Sequence, residues 1–529
     1  VMGQRAPGEQ VMEQKSLTVL PTRTIYTFES AGVSLTLTFM TPALPEDMDM
    51  LSRPLTYVTY DLRSTDGKTH DVSLGFEAFA EIAVNTANQE VVFSNPKLDP
   101  SLRGVRVGSV EQPILLKKGD DIRIDWGYLY LAAPASENPM VSTSPQIPAG
   151  SNEVSSKAQG SNLNIRFDGI QVTDKPVSRW LMLAYDDLYS IQFMKKNLRP
   201  YWRRNGWEAA DLLKAGAEEY ASLVKRCTAF DDEQMADLTR AGGAKYAKLS
   251  ALAYRQCFAA GKFVADDNGQ PMQFCKETHS NGCIGTADVF YPMAPQFLLF
   301  GPSVAKSFLV PFMNYAASER WKFPFAPHDL GIYPMANGQV YGDGETGEKN
   351  QMPVEESGNL LCLMAAIAQM EGNADFAGLY WKQIEQWAEY LKDKGFDPEN
   401  QLCTDDFSGH LAHNVNLSAK AICALGAFGK LCEMRGDTAK AKEYSTLAKE
   451  FAARWVKEAD DGDHFRLAFD RPGTWSQKYN LIWDRILDLN LFPAEVVRKE
   501  MDFYKQHQNK YGLPLDNRKE YTKLDWITW

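Results

Sequence analysis

Two pairs of acids stand out in this sequence: Glu355 and Glu356 in "MPVEESGN", and Asp405 and Asp406 in "QLCTDDFSGHLAHN", where His410 and His413 follow as an H-x-x-H. Carboxyl groups gathered in one pocket can divide the work of hydrolysis, one protonating the leaving group while another activates water. Pro353 fits the first turn of a helix and puts Glu355 and Glu356 in that turn, where free backbone N–H groups and the helix dipole favour carboxylates. Capping alone would explain either glutamate. The helix is almost wholly apolar after Asn359, however, so its start points into the fold. Asp405 and Asp406 are adjacent and diverge in extended or turn backbone; one can face a substrate atom while the other holds the loop, with Asn414 or Asn416 capping the next helix. These four acids are the expected catalytic residues. Two histidines three apart could ligate a metal on a helix, but the stretch reads as a loop and no third ligand has matching spacing. No metal and no cofactor is therefore expected.

Other loops supply binding candidates: Lys276, Glu277 and His279 in "KETHSNG", His328 and Asp329 in "FAPHDLG", and the aromatics Tyr341 and Trp475. Five of the seven histidines (279, 328, 410, 413 and 464) fall in four such loops, a clustering that favours a polar pocket over scattered structural roles. Aromatic rings beside paired acids suit sugars, although between helices they are also ordinary core. Asp186 and Asp187, in a stretch read as helix, cannot share a helix face and form a secondary candidate.

The elements that must position these residues change character along the chain. From about residue 16 to 167 apolar residues alternate, as in "VSLTLTFM" and "LTYVTYDL", which predicts antiparallel strands in a sandwich over residues 1–174. The Ser-, Pro- and Asn-rich stretch 133–162 reads as a long loop or hairpin excursion. After Lys175 the period becomes helical, beginning with "RWLMLAYDDLYSIQF", and residues 175–529 read as an all-α domain. Apolar helices open near Phe290, Pro353, Asn416 and Asn480, at spacings of 63, 63 and 64 residues, with a more charged helix between. That alternation of inner and outer helices predicts an α/α toroid, and the long loops before the inner helices would gather on one face of it.

The whole chain sets bounds. Its 529 residues exceed one core, and 44% hydrophobic with 23% charged residues is ordinary globular composition. A net charge of -12 argues against a nucleic-acid partner. Eight cysteines without a C-x-x-C pair favour buried thiols, with a Cys275–Cys283 bridge the weaker alternative. No run of eighteen apolar residues is present, so no membrane span is expected.

The stretches "LPTRTIYTF", "SRPLTYVTYD", "KKGDDIRIDWGYLYLA", "KETHSNGCIGTADVFYP", "FPFAPHDLGIYPMANGQVYG", "MPVEESGNLL" and "CTDDFSGHLAHNVNLSAKAI" together resemble the glutaminase A family over nearly the full length. The resemblance implies a β-sandwich followed by a six-hairpin (α/α)6 toroid of the glucoamylase type, truncated here at both ends, and a secreted or periplasmic location. It implies hydrolysis of the side-chain amide of glutamine, for which the acids in these loops suit carboxylate-assisted attack of water better than an activated Ser, Thr or Cys. In that case a cation such as Lys276 and one acid would recognise the amino-acid end of the small-molecule substrate. The toroid and the aromatic, acid-rich loops keep a glycoside hydrolase as the alternative, and a non-catalytic carbohydrate-binding protein as a second one.

Overall fold

The protein is described by a computed structural model over residues 10–277, 280–403 and 408–529. It forms two compact units, Val1–Gln192 with Lys196–Pro271, and Phe193–Lys195 with Met272–Trp529.

The first unit is an antiparallel sandwich. Its larger sheet has the strand order β1-β2-β3-β4-β12-β8-β7-β6-β10, and its smaller sheet the order β5-β11-β9. The strands are β1 (Glu13–Val19), β2 (Arg23–Ser30), β3 (Val33–Met40), β4 (Leu55–Ser64), β5 (His70–Phe79) and β6 (Glu90–Ser94). They continue as β7 (Leu102–Ser109), β8 (Tyr128–Pro134), β9 (Met140–Ser144), β10 (Glu153–Lys157), β11 (Asn162–Val172) and β12 (Val177–Asp186). Between the sheets lie Val58, Leu62, Phe93, Val105, Leu131, Leu163, Ile165, Phe167 and Leu181. A short helix α1 (Met48–Ser52) precedes β4, and the long helix α2 (Ala209–Ala259) covers the outer face of the large sheet. Leu212 and Leu213 of α2 pack there with Leu55, Tyr57, Met182 and Ala184. Gly243, at φ +82, interrupts α2 with a kink that side-chain-bearing residues rarely adopt.

Three expectations are corrected here. The stretch "RWLMLAYD" is strand β12, not helix: it sits between β4 and β8 with Leu181 against the second sheet and Met182 and Ala184 against α2. A strand buried on both faces loses its alternation, and its apolar run then reads like a helix. The first unit consequently runs far beyond residue 174 and includes α2. Asp186 and Asp187 end that strand, each neutralised by its own cation, Arg203 at 2.6 Å and Lys262 at 2.7 Å. The 133–162 stretch contains β9 and β10, short strands that extend one sheet each through polar, half-exposed residues.

The second unit is a series of helical hairpins. Its helices are α3 (Ala287–Phe300), α4 (Pro302–Ala316), α5 (Pro353–Glu371), α6 (Asp375–Leu379), α7 (Trp381–Lys394), α8 (Val415–Met434) and α9 (Thr438–Glu458). They are followed by α10 (Ile482–Ile486), α11 (Ala494–Gln506) and α12 (Leu524–Thr528). Inner helices pack in the succession α3, α5, α8 and the turn leading into α10, while α4, α7 and α9 back them. Because α5 and α8 touch helices on every side, they are apolar all round, whereas α7 shows its polar face to solvent. By length and composition α8 could cross a membrane, yet 94% of its apolar 18-residue stretch is buried within the protein, the environment of a core helix. All eight cysteines are unbridged.

Candidate active site

The starts of the inner helices gather a buried cluster of acids. Asp288 lies in the first turn of α3, and Glu355 and Glu356 in the first turn of α5. The loop between α4 and α5 brings His328 to them. Ligand atoms of Asp288, His328 and Glu356 all lie within 4.8 Å of one another. Glu355 and Glu356 are fully buried, His328 is 3% exposed, and the Asp288 side chain is 12% exposed, with its Oδ1 buried.

Two devices hold this cluster. The first is Asp329, which is fully buried and ties the loop to itself. One carboxylate oxygen accepts from the N–H groups of Gly331 at 2.8 Å and Val340 at 3.1 Å, and the other from Tyr341 at 3.0 Å. The Nδ1 of His328 donates to that second oxygen at 3.1 Å, because a carboxylate can only accept. The imidazole is thereby turned so that Nε2 faces Asp288 Oδ1 at 3.6 Å, and Tyr341 stacks on its ring at 4.0 Å. Gly331, at φ +142, permits the tight return, since a Cβ there would lie 2.2 Å from the carbonyl oxygen of Met335.

The second device comes from α8. Lys420, fully buried, donates to Glu355 Oε1 at 2.5 Å and to Asn359 Oδ1 at 2.7 Å. Asn359 in turn donates to Glu356 Oε2 at 3.0 Å and to Glu355 Oε1 at 3.3 Å. Glu356 Oε1 has no hydrogen-bond partner among the described residues.

Charge and burial then separate the acids. Glu355 is ion-paired with Lys420 at 2.5 Å. Burial first, and the neighbouring Asp288 and Glu355 charges next, hold the Glu356 carboxyl well above the usual carboxylate range. Burial also raises Asp288, to about 6, against the pull of His328. Burial works against the charge of His328, but Asp288 and Asp329 outweigh it, so its pKa lies above the ordinary value. At neutral pH the arrangement holds a protonated carboxyl beside an ionised one, the pairing that general acid and general base chemistry needs.

The same three residues offer donor atoms that a divalent cation could use. A second trio, Cys283, His328 and Asp329, is equally compact. In that trio Asp329 is already occupied by three backbone N–H groups, and burial keeps the Cys283 thiol protonated. It serves the loop.

Of the residues expected from sequence, the structure gathers Glu355, Glu356, His328 and Asp329, with Tyr341 stacked beside them. Glu277 faces the same cluster as a charge that raises both Asp288 and His328. Lys276 lies over the Tyr333 ring at 4.7 Å. His413 pairs instead with Asp397 at 2.7 Å, and His410 is exposed. Trp475 packs on Phe503 and His507. Asp405, Asp406 and His279 lie outside the described residues. Asn414 caps α8, accepting from Leu417 N at 3.1 Å.

Sequence reasoning missed Asp288 and Lys420, although both left a signal. Asp288 is an acid in the first turn of an inner helix, as Glu355 and Glu356 are. Lys420 is the one charged side chain in the apolar run from Val415 to Lys430's predecessor, Gly429, where a solvated lysine has no place.

Comparison with known proteins adds the family. Residues 22–237 match a domain of unknown function, and residues 243–529, more than half the chain, match the glutaminase A six helical-hairpin domain. The chain belongs to the glutaminase A family. It is therefore a hydrolase, with an N-terminal antiparallel sandwich and a helical-hairpin domain. The two matched domains meet at the Gly243 kink of α2. Glutaminase A of Aspergillus oryzae is 29% identical over 548 residues, covering 98% of this chain and 78% of that protein. A probable glutaminase of Arthroderma benhamiae is 28% identical over 53% of this chain and 42% of its own length. Among solved structures, a bacterial glucoamylase complexed with acarbose aligns at a TM-score of 0.47 with 10% identity, covering 96% of this chain and 73% of that one. A kojibiose phosphorylase from the human microbiome aligns at 0.46, also with 10% identity, covering 93% and 68%. Likeness at that level says nothing about the reaction.

Proposed function

We propose that this glutaminase A family member hydrolyses the side-chain amide of glutamine by carboxylate-assisted attack of water. The observation that carries the reading is the buried pair of Asp288 and Glu356, one carboxyl near pKa 6 and its neighbour held protonated, with donor atoms within 4.8 Å. Asp288, whose side chain is 12% exposed where Glu356 is fully buried, takes a proton from water as it attacks the amide carbon. Glu356 gives its proton to the departing nitrogen, and ammonia leaves. His328, held by Asp329, keeps a positive edge toward Asp288 and stabilises its ionised form. Covalent catalysis by the nearby thiols is disfavoured, because burial pushes Cys362 and Cys275 up to about 12.

One observation favours a second reading. Glycosidases that pass through a covalent intermediate use two closely spaced carboxyls, about 5–5.5 Å apart, and the Asp288 and Glu356 ligand atoms lie within 4.8 Å. The purified protein should therefore be assayed in parallel for ammonia from glutamine and for reducing sugar from aryl glycosides and oligosaccharides, with and without a chelator. Ammonia release that survives the chelator is the expected result. Sugar release without ammonia would replace the amide by the glycoside, activity lost to the chelator and restored by a metal would replace the proton pair by an ion, and neither product would return the protein to carbohydrate binding.

A further inference from the structure

We infer that Lys420 is a positioning residue for the acid pair: it reaches from α8 through a slot at Gly358 to hold Glu355 and, through Asn359, to orient the carboxyl of Glu356. The inference rests on the acid-pair reading above and adds the element that sets it.

A lysine inside an apolar helix needs a reason to be there. Its ammonium is fully buried, with two hydrogen-bond acceptors, Glu355 and Asn359, and the face of Tyr291 at 4.2 Å. All three belong to neighbouring inner helices, α5 and α3. The route is cut to measure: a Cβ on Gly358 would lie 2.7 Å from Lys420 Cγ and 2.9 Å from Cδ, so only glycine lets the stem cross α5. Tyr291 is itself anchored, donating to Asn480 Oδ1 at 3.0 Å and accepting from Trp483 Nε1. Asn480 Nδ2 donates to the backbone oxygen of Asn416 at 3.1 Å, which ties the turn before α10 back to α8. The lysine is thus braced by the inner ring on every side.

An ion pair used only for stability would gain little from this arrangement, since burying both charges costs about as much as their attraction returns. What the arrangement does secure is direction. With Lys420 occupying Asn359 Oδ1, the amide can present only its Nδ2 to the acids, so it donates to Glu356 Oε2 and leaves Oε1 of that carboxyl, which lies beside Asp288 and His328, buried with no hydrogen-bond partner among the described residues. With Glu355 held by Lys420, the carboxyls of Glu356 and Asp288 remain as the pair that faces His328.

The test uses two variants of the full chain, read on whichever substrate the product assay identifies. Lys420→Met with Glu355→Gln removes both charges and leaves neither buried alone. Gly358→Ala keeps every charge, favours the helix, and displaces the lysine stem. The double variant is expected to fold with a melting temperature near that of the parent, and Gly358→Ala to fold with a lower one because the added methyl overpacks a buried site. In each, kcat should fall about 10- to 100-fold with KM changed by less than about twofold, the size of effect typical of groups that orient a site from behind. In the double variant the alkaline limb of the pH profile should also move to lower pH, because the Glu355 charge that raises Glu356 outweighs the Lys420 charge that lowers it. Should the double variant fail to fold, Gly358→Ala decides. A kcat within twofold of the parent and an unmoved pH profile overturn the inference. The acid-pair reading falls separately, on an active Glu356→Gln.

Discussion

Glu356→Gln is expected to lower kcat by about 10²- to 10⁴-fold, the usual contribution of a positioned proton donor, while leaving the fold intact. Glutamine has the shape of the protonated carboxyl that burial imposes at this position, and its amide oxygen can still accept from Asn359 Nδ2. What it cannot do is release a proton to the leaving nitrogen. The substitution also removes an acid from beside Asp288 and Glu355, so stability should be unchanged or higher. Steady-state kinetics and a thermal melt on the same preparation separate the two quantities. Near-parental kcat would remove Glu356 from the chemistry, and a collapsed melt would show that its role is structural.

Asp329→Ala carries the largest expected effect on stability. It deprives the Gly331, Val340 and Tyr341 N–H groups of their acceptors and leaves His328 Nδ1 without a partner in a buried loop. Stranded buried donors cost about 1–3 kcal/mol each. Water can reach Val340 and Tyr341, which are not buried, so a total of about 3 kcal/mol is expected, a drop of roughly 6–12 °C for a unit of this size. Asp329→Asn, which keeps one acceptor oxygen, should lose less than half as much. Calorimetry of the two variants checks the order; equal stability of Asp329→Ala and the parent would mean that the loop is held elsewhere.

The sandwich-then-hairpins order was legible because it rests on local patterns, strand alternation in one half and recurring apolar helices in the other, and the candidate acids after Pro353 were visible because they open such a helix. Strand β12 was not legible, since a strand covered on one side by a second sheet and on the other by α2 carries no alternation to read. The partition of roles between Glu355 and Glu356 was hidden for a different reason. Both glutamates occupy the same helical turn, and what distinguishes them is Lys420, a residue 65 positions away from Glu355 that only packing brings there. Asp288 belongs to a stretch recognisable for its family resemblance, but one acid in a helix's first turn is ordinarily a cap. It becomes a candidate only when His328 and Glu356 are found within reach.

In the proposed reaction Asp288, poised near pKa 6 beside a protonated Glu356, activates the water. The most direct measurement is the pH dependence of kcat/KM for the parent and for Asp288→Asn, since that ratio reports the ionisations of the free enzyme. An acid whose pKa is raised works as a base only above it, so parental activity should rise with pH through about 6 and hold until Glu356 begins to lose its proton. The residual activity of Asp288→Asn should lack that rise. A parental profile with no limb near pH 6, or one that persists unchanged in Asp288→Asn, would contradict the account.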